Sequence, residues 1–127
     1  MDSNNKTILL VEDDGMVRSI YKARFEADGF NVLVSPDGGS GLEIAKKEKP
    51  DIIMLDIILP GLDGFSVLEE IKRDQSTKNI PVIMLTNLAT VEDKTKGQKM
   101  GAIGYYVKAS LTPGQVSEKI KNILKIK

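Results

Sequence analysis

Two apolar runs of this chain stop on acids. Glu12, Asp13 and Asp14 follow Ile8 to Val11, and Asp56 follows Ile52 to Leu55. Two more runs end on residues with chemistry of their own, Val82 to Leu85 on Thr86 and Tyr105 to Val107 on Lys108. If these runs lie side by side, their carboxylates converge, and two such charges about 4 Å apart repel by ~4 kcal/mol at an effective dielectric of about 20. A divalent cation relieves that repulsion. Oxygen-only ligands from Asp and Glu suit Mg²⁺, which keeps some of its waters and commonly takes the rest of its shell from phosphate. Taken singly, each residue has a plainer reading. Acids after a strand serve as solvated turns or helix caps, which fits Glu12-Asp13-Asp14 equally well. Thr86 alone reads as structural and Lys108 alone as a surface charge. Asp56 is harder to set aside, because it ends a buried run directly and precedes apolar Ile57-Ile58-Leu59. The joint placement is what points to a site.

What the 127 residues lack narrows the chemistry further. There is no Cys, so disulfides, thiolate metal sites and cysteine nucleophiles are excluded. There is no His, which removes a Ser-His-Asp triad, an imidazole base, an imidazole zinc ligand and a phosphohistidine of the chain's own. With 18 basic and 18 acidic side chains the formal charge is zero, against the basic excess usual in a nucleic-acid binder. The balance is uneven along the chain: residues 1–90 hold 10 Lys and Arg against 15 Asp and Glu, net −5, and residues 91–127 hold 8 Lys against 3 acids, net +5. The polar start, residues 1–5, leads into only a short apolar run, so neither a signal peptide nor a membrane span is expected, and a cytoplasmic location is.

The elements that must position these residues follow from periodicity. The four runs, with a fifth at Val32 to Val34, do not alternate polar with apolar, so they read as parallel strands buried on both faces. Between them, helical spacing marks Met16, Val17, Ile20, Tyr21 and Ala27, then Leu42 and Ala45, then Phe65, Leu68 and Ile71, and last Val116, Ile120, Ile123 and Leu124. Residues 90–100 are polar with Gly97 inside, which predicts a short or marginal helix. Gly29 is placed as a C-cap and Asp63, after the Pro60-Gly61-Leu62 turn, as an N-cap. Pro50 and Pro81 sit just ahead of strands, where a missing N–H costs little. Gly38-Gly39-Ser40-Gly41 matches neither the dinucleotide nor the P-loop pattern and reads as a helix entry. Five βα units make a doubly wound α/β layer structure with a parallel sheet, and ligands in such sheets bind beyond the carboxyl ends of the strands.

Ile8-Leu9-Leu10-Val11-Glu12-Asp13-Asp14, Asp51 to Asp56 running into Leu59-Pro60-Gly61-Leu62-Asp63-Gly64-Phe65, Pro81 to Thr86, and Gly101-Ala102 leading to Tyr105-Tyr106-Val107-Lys108 carry a resemblance. In that order the chain resembles the receiver domain of two-component response regulators, from Lys6 to the final helix, and is close in extent to the single-domain chemotaxis receivers. The resemblance implies a flavodoxin-like five-stranded sheet of order 2-1-3-4-5 and one receiver domain over residues 1–127 with no effector domain. It implies that Asp56 accepts a phosphoryl group from a phosphohistidine on a partner histidine kinase or phosphotransfer protein. Asp13, Asp56 and the Ile58 backbone carbonyl would bind Mg²⁺, with Glu12 acting through a coordinated water. Thr86 would bond a phosphoryl oxygen, and Lys108 would pair with the phosphoryl group and, before transfer, with the acids. Thr86 and Tyr105 would form the switch, with Tyr106 in the core. The fourth helix, fifth strand and fifth helix, in the basic quarter, would be the face read by an acidic or mixed-charge protein partner or by a second copy. On this reading the chain is a signalling switch and not an enzyme, though it assists its own phosphoryl transfer.

Three departures from the receiver pattern accompany the match. Ala109 follows Lys108 where proline after a cis bond is common, and a non-proline cis bond costs ~3–4 kcal/mol, so either the bond is trans and Lys108 sits differently or the site is strained. Asn87 follows Thr86 where a small residue is common, and its bulk would narrow phosphoryl access. Ile58 and Leu88 are apolar where polar residues orient the hydrolytic water in some relatives, which predicts slow self-dephosphorylation. Ala109 and Asn87 keep open a receiver that binds partners without phosphorylation. A flavin protein of the same fold class is opposed by 5% aromatic residues and no Trp, and an aspartyl-phosphate hydrolase by Ile58 in place of its second Asp.

Overall fold

Strands and helices alternate throughout the computed structural model, which describes residues 4–126. In chain order they are β1 Thr7–Val11, α1 Gly15–Ala27, β2 Asn31–Ser35, α2 Gly38–Glu48, β3 Ile52–Leu55, α3 Gly64–Arg73, β4 Val82–Thr86, α4 Val91–Lys99, β5 Gly104–Val107 and α5 Pro113–Ile123. Every strand pair is parallel and the sheet order is β2-β1-β3-β4-β5, the flavodoxin-like order the resemblance implies. Of the polar tail at residues 1–5, residues 1–3 lie outside the described residues. Asn4 is tied down, its N–H donating to the Gly29 carbonyl at 3.1 Å.

Side chains of one strand leave on opposite faces with a period of two, which divides the interior into two layers. Leu9, Val11, Ile53, Leu55, Val82 and Met84 pack against Ala45 of α2 and Phe65, Leu68 and Ile71 of α3. Ile8, Leu10, Ile52, Met54, Ile83 and Leu85 pack against Tyr21 and Phe25 of α1 and Val116 and Ile120 of α5. The central strands β1, β3 and β4 are buried on both faces as expected. β2 and β5 are not: as sheet edges they have one neighbour each, and all of β5 and most of β2 are only partly buried or exposed. The inward face of α1 also differs from its expected stripe. Val17, Tyr21 and Phe25 face the core at i, i+4 and i+8, whereas Met16 is 75% and Ile20 51% exposed, and Ala27 is exposed too.

Caps explain where the helices begin. Asp14, Asp37 and Asp63 accept N–H bonds from the first turns of α1, α2 and α3, as Asp63 was expected to do. Polar α4, the helix expected to be marginal, starts on Thr90, whose hydroxyl accepts from Asp93 N–H at 3.1 Å. Its one buried residue is Gly97. A Cβ there would lie 3.3 Å from the Tyr105 ring, so the bare backbone lets the ring pack beneath the helix.

Candidate functional site

Register brings the acids together. Val11 and Leu55 are partners across β1 and β3, so the residues after them, Glu12 and Asp56, emerge side by side. The ladder continues one step further, with Asp56 N–H donating to Val11 C=O at 3.2 Å and Glu12 N–H to Ser35 C=O at 3.0 Å. Carboxylate oxygens of Glu12, Asp13 and Asp56 all lie within 4.8 Å of one another, two of these residues being buried and Asp13 exposed. The floor of the Asp56 loop is set by α3. A Cβ on Gly64 would fall 2.2 Å from the Asp56 carbonyl oxygen, so only glycine allows the helix to begin that close.

Lys108 crosses over from the end of β5, beyond β4, to these acids. Its Nζ donates to Asp56 Oδ2 at 2.6 Å and also to Glu12 Oε1. Burial alone would lower the Lys108 pKa, but the bonds to Asp56 and Glu12 and their charges outweigh it and hold the ammonium above its ordinary value. Burial pushes Glu12 up from the usual carboxylate range, although the Lys108 bond opposes the shift. The other Asp56 oxygen, Oδ1, accepts from Ile58 N–H at 3.2 Å. Ile58 itself, 61% exposed, forms the lip of a cleft of about 290 Å³ lined also by Glu12, Asp13, Asp14, Val17, Asp56, Asn87 and Lys108.

Not every candidate joins this cluster. The Asp14 carboxylate is a helix cap, bonded to Met16 and Val17 N–H. Thr86 is fully buried at the end of β4, and its hydroxyl accepts from Leu88 N–H at 3.3 Å. Tyr105 approaches the same turn from β5, donating its hydroxyl to the Leu88 carbonyl at 2.6 Å. Burial, aided by Asp93 and Asp56, pushes the Tyr105 phenol up to about 12. Tyr106, expected in the core, is half-buried at the rim of the α1/α5 layer, with Lys119 Nζ 5.2 Å from its ring centre.

Two groups escaped the sequence reading. Arg18 Nη1 donates to the Glu12 carbonyl at 2.8 Å, bracing the acidic turn from α1. Its spacing of six from Glu12 is the only sequence signal for that role. Asn87, expected to narrow phosphoryl access by its bulk, accepts from Ala109 N–H through Oδ1 at 3.1 Å. No peptide bond among the described residues is cis, and Lys108 reaches both acids with a trans bond after it.

Residues 8–121 match the family model described as the response regulator receiver domain, and the chain belongs to that family. Receiver domains work with histidine kinases, and the family generally binds Mg²⁺ through acidic residues of the kind clustered here. Among solved structures, the chain is similar to a CheY-like response regulator receiver domain protein from Methanospirillum hungatei. The TM-score is 0.88 at 30% identity, covering 96% of this chain and 95% of that one. It is 35% identical over 125 residues to the probable transcriptional regulator ycf27 of Cyanophora paradoxa, covering 98% of this chain and 51% of the relative. It is 40% identical over 101 residues to the DNA-binding dual master transcriptional regulator RpaA of Synechocystis, covering 80% of this chain and 42% of the relative. The chain thus spans about half the length of the curated relatives it matches. No helix among the described residues is long and apolar enough to cross a membrane.

Proposed function

We propose that Asp56 accepts a phosphoryl group from a phosphohistidine on a partner kinase or phosphotransfer protein. The observation that carries this reading is the Lys108 ammonium bonded to both Glu12 and Asp56 at the floor of an open acidic cleft. An ionised carboxylate is a competent nucleophile without a base. An Asp56 oxygen attacks phosphorus as the P–N bond to the donor imidazole breaks, the bonding pair leaving with the nitrogen, and an acyl phosphate forms. Lys108 would neutralise charge on the equatorial oxygens, and the Thr86 hydroxyl would donate its O–H to one of them.

Asp13, Asp56 and the Ile58 carbonyl would hold Mg²⁺, with Glu12 acting through water, and the all-oxygen donor set fits a hard cation. Bound there, the ion supplies further charge neutralisation on the transferring group. In this reading the chain is a switch and not an enzyme, acting on its own carboxylate and losing the phosphoryl group slowly. Output would run through α4, β5 and α5, where Lys94, Lys96, Lys99, Lys119 and Lys121 outnumber Glu92, Asp93 and Glu118. That positive excess suits an acidic or mixed-charge partner surface or a second copy. The names of the relatives, transcriptional regulators, agree with a receiver that controls an effector.

Incubation with a small-molecule phosphodonor and Mg²⁺ tests the proposal. One added phosphoryl group in intact mass, present in the parent and absent in Asp56→Asn, is the expected result. No gain in either protein favours the phosphorylation-independent binding module instead.

A further inference from the structure

Asn87 and Ala109, two separate departures from the receiver pattern, are joined in the structure. They lie 22 residues apart, one just beyond Thr86 at the end of β4 and the other just beyond Lys108 at the end of β5. Asn87 Oδ1 accepts the Ala109 N–H at 3.1 Å. Ala109 is the middle residue of a single 3-10 turn, Lys108–Ser110, that carries the site lysine. No side chain caps that turn at its N-terminus, and its closing contact is a long one, Leu111 N–H to Lys108 C=O at 3.4 Å. The Asn87 bond is therefore a cross-strand restraint on the residue after Lys108, one that lies beyond the Thr86–Val107 pair where the ladder ends.

We propose that Asn87 is a positioning residue for phosphoryl transfer: by clipping the Ala109 amide it holds the Lys108 turn so that Nζ stays on Glu12 and Asp56. The proposal rests on the phosphoacceptor reading above. Asn87 and Lys108 line both the acid cleft and an adjoining groove of about 340 Å³, so the Asn87 side chain stands on the seam between them. Turned into the cleft, it would crowd an incoming phosphoryl group. Bonded to Ala109, its amide oxygen is committed away from that path. The two roles a bulky residue could have here predict opposite effects of its removal. An obstructing Asn87 makes Asn87→Ala faster, whereas a clip makes it slower.

The full chain and Asn87→Ala are labelled with a small-molecule phosphodonor and Mg²⁺. The expected result is a fall of about 2- to 10-fold in the rate at saturating donor, the range one neutral hydrogen bond commands, with an unchanged half-saturating donor concentration. An unchanged or faster rate overturns the proposal, and so does a loss confined to the half-saturating concentration. Two readouts do not depend on labelling. Hydrogen exchange at the Ala109 amide speeds up in Asn87→Ala, and the Lys108 ammonium signal in ¹H–¹⁵N spectra weakens. Asn87→Asp, which keeps an acceptor oxygen at the same reach, retains both. Equal exchange and equal Lys108 signals in parent and Asn87→Ala overturn the clip. Absence of labelling in the parent defeats the phosphoacceptor reading, and the two spectroscopic readouts then judge the clip by themselves.

Discussion

The Tyr105 hydroxyl donates to the Leu88 carbonyl at 2.6 Å, while the N–H of the same Leu88 bonds the Thr86 hydroxyl at 3.3 Å. One residue, Leu88, thus joins the Thr86 side chain to the ring beneath α4. If the Thr86 side chain swings to donate its O–H to a phosphoryl oxygen, the oxygen that accepts from Leu88 N–H moves with it, the turn shifts, and Tyr105 is the group that feels the shift. In the parent, beryllofluoride with Mg²⁺ should move the amide signals of residues 88–91 and of α4. In Tyr105→Ala the signals near Asp56 should still move and those of α4 should not. Full retention of the α4 changes would remove Tyr105 from the switch.

The chain has three tyrosines, and burial raises the pKa of each, Tyr105 to about 12. A phenol with a raised folded value binds its proton more tightly in the native state than in the unfolded one. Stability is therefore fully present below pH 10 and falls as pH climbs from 10 toward 12, because the unfolded chain releases the proton first. Spectrophotometric titration should show no phenol at the ordinary value. Tyr105→Phe should flatten the alkaline loss of stability measured by denaturant midpoints. A normal phenol in the native protein would contradict the packing of these rings.

Removing the Lys108 ammonium leaves Glu12 and Asp56 together at low exposure with no opposite charge. Breaking a buried ion pair by deleting one partner costs about 3–5 kcal/mol, and the open cleft places Lys108→Ala near the lower end. Because burial already raises Glu12, proton uptake should relieve the variant on mild acidification, so its deficit shrinks as pH falls toward the Glu12 value. Mg²⁺ no longer competes with an ammonium, and the thermal midpoint should rise more with Mg²⁺ in Lys108→Ala than in the parent. Equal shifts in the two proteins would mean that Lys108 and the cation do not share these oxygens.

Gly64 offers a test of the scaffold. Its missing side chain is replaced by the Asp56 carbonyl, 2.2 Å from where a Cβ would stand, with the Ile57 Cα at 2.7 Å. Neither atom belongs to a movable side chain. Gly64→Ala should destabilise by at least the ~1–3 kcal/mol typical of overpacking, despite the better helix propensity of alanine, and should slow labelling of Asp56. Denaturant midpoints and labelling rates measured together check this, and a variant as stable as the parent would contradict the close approach.

The legibility of these features in the sequence depended on their range. Glu12, Asp56 and Lys108 were visible because each ends an apolar run, and a parallel sheet aligns its strand ends. The face of α1 was legible only in part: Val17 and Tyr21 lie in the expected stripe and do face the core, but Phe25 was missed and Met16 and Ile20 form an i, i+4 apolar stripe beside it. Periodicity weighs the two alike, and only the position of β1 and α5 chooses between them. The edge character of β2 and β5 belongs to strand order, which periodicity does not carry. The Asn87 to Ala109 bond requires the pairing of Thr86 with Val107, which brings the two loops abreast. No local pattern encodes a contact that depends on register.

Leu88 and Ile58, both apolar and both two residues past a site residue, were expected to act alike in slowing loss of the phosphoryl group. The structure separates them. Ile58 is 61% exposed on the lip of the cleft, whereas Leu88 packs against the α2/α3 core layer. Only Ile58 is placed to meet a water approaching Asp56. Ile58→Asn should therefore shorten the lifetime of the phosphorylated chain, since a polar side chain there offers the attacking water a partner. Leu88→Asn should instead lower stability by the ~1–3 kcal/mol expected for setting a polar group against apolar packing, with little change in lifetime. Decay of the phosphorylated mass after donor removal, followed beside thermal midpoints, distinguishes the two. Equal acceleration by both substitutions would show that Leu88 leaves the core on phosphorylation and faces the cleft as Ile58 does.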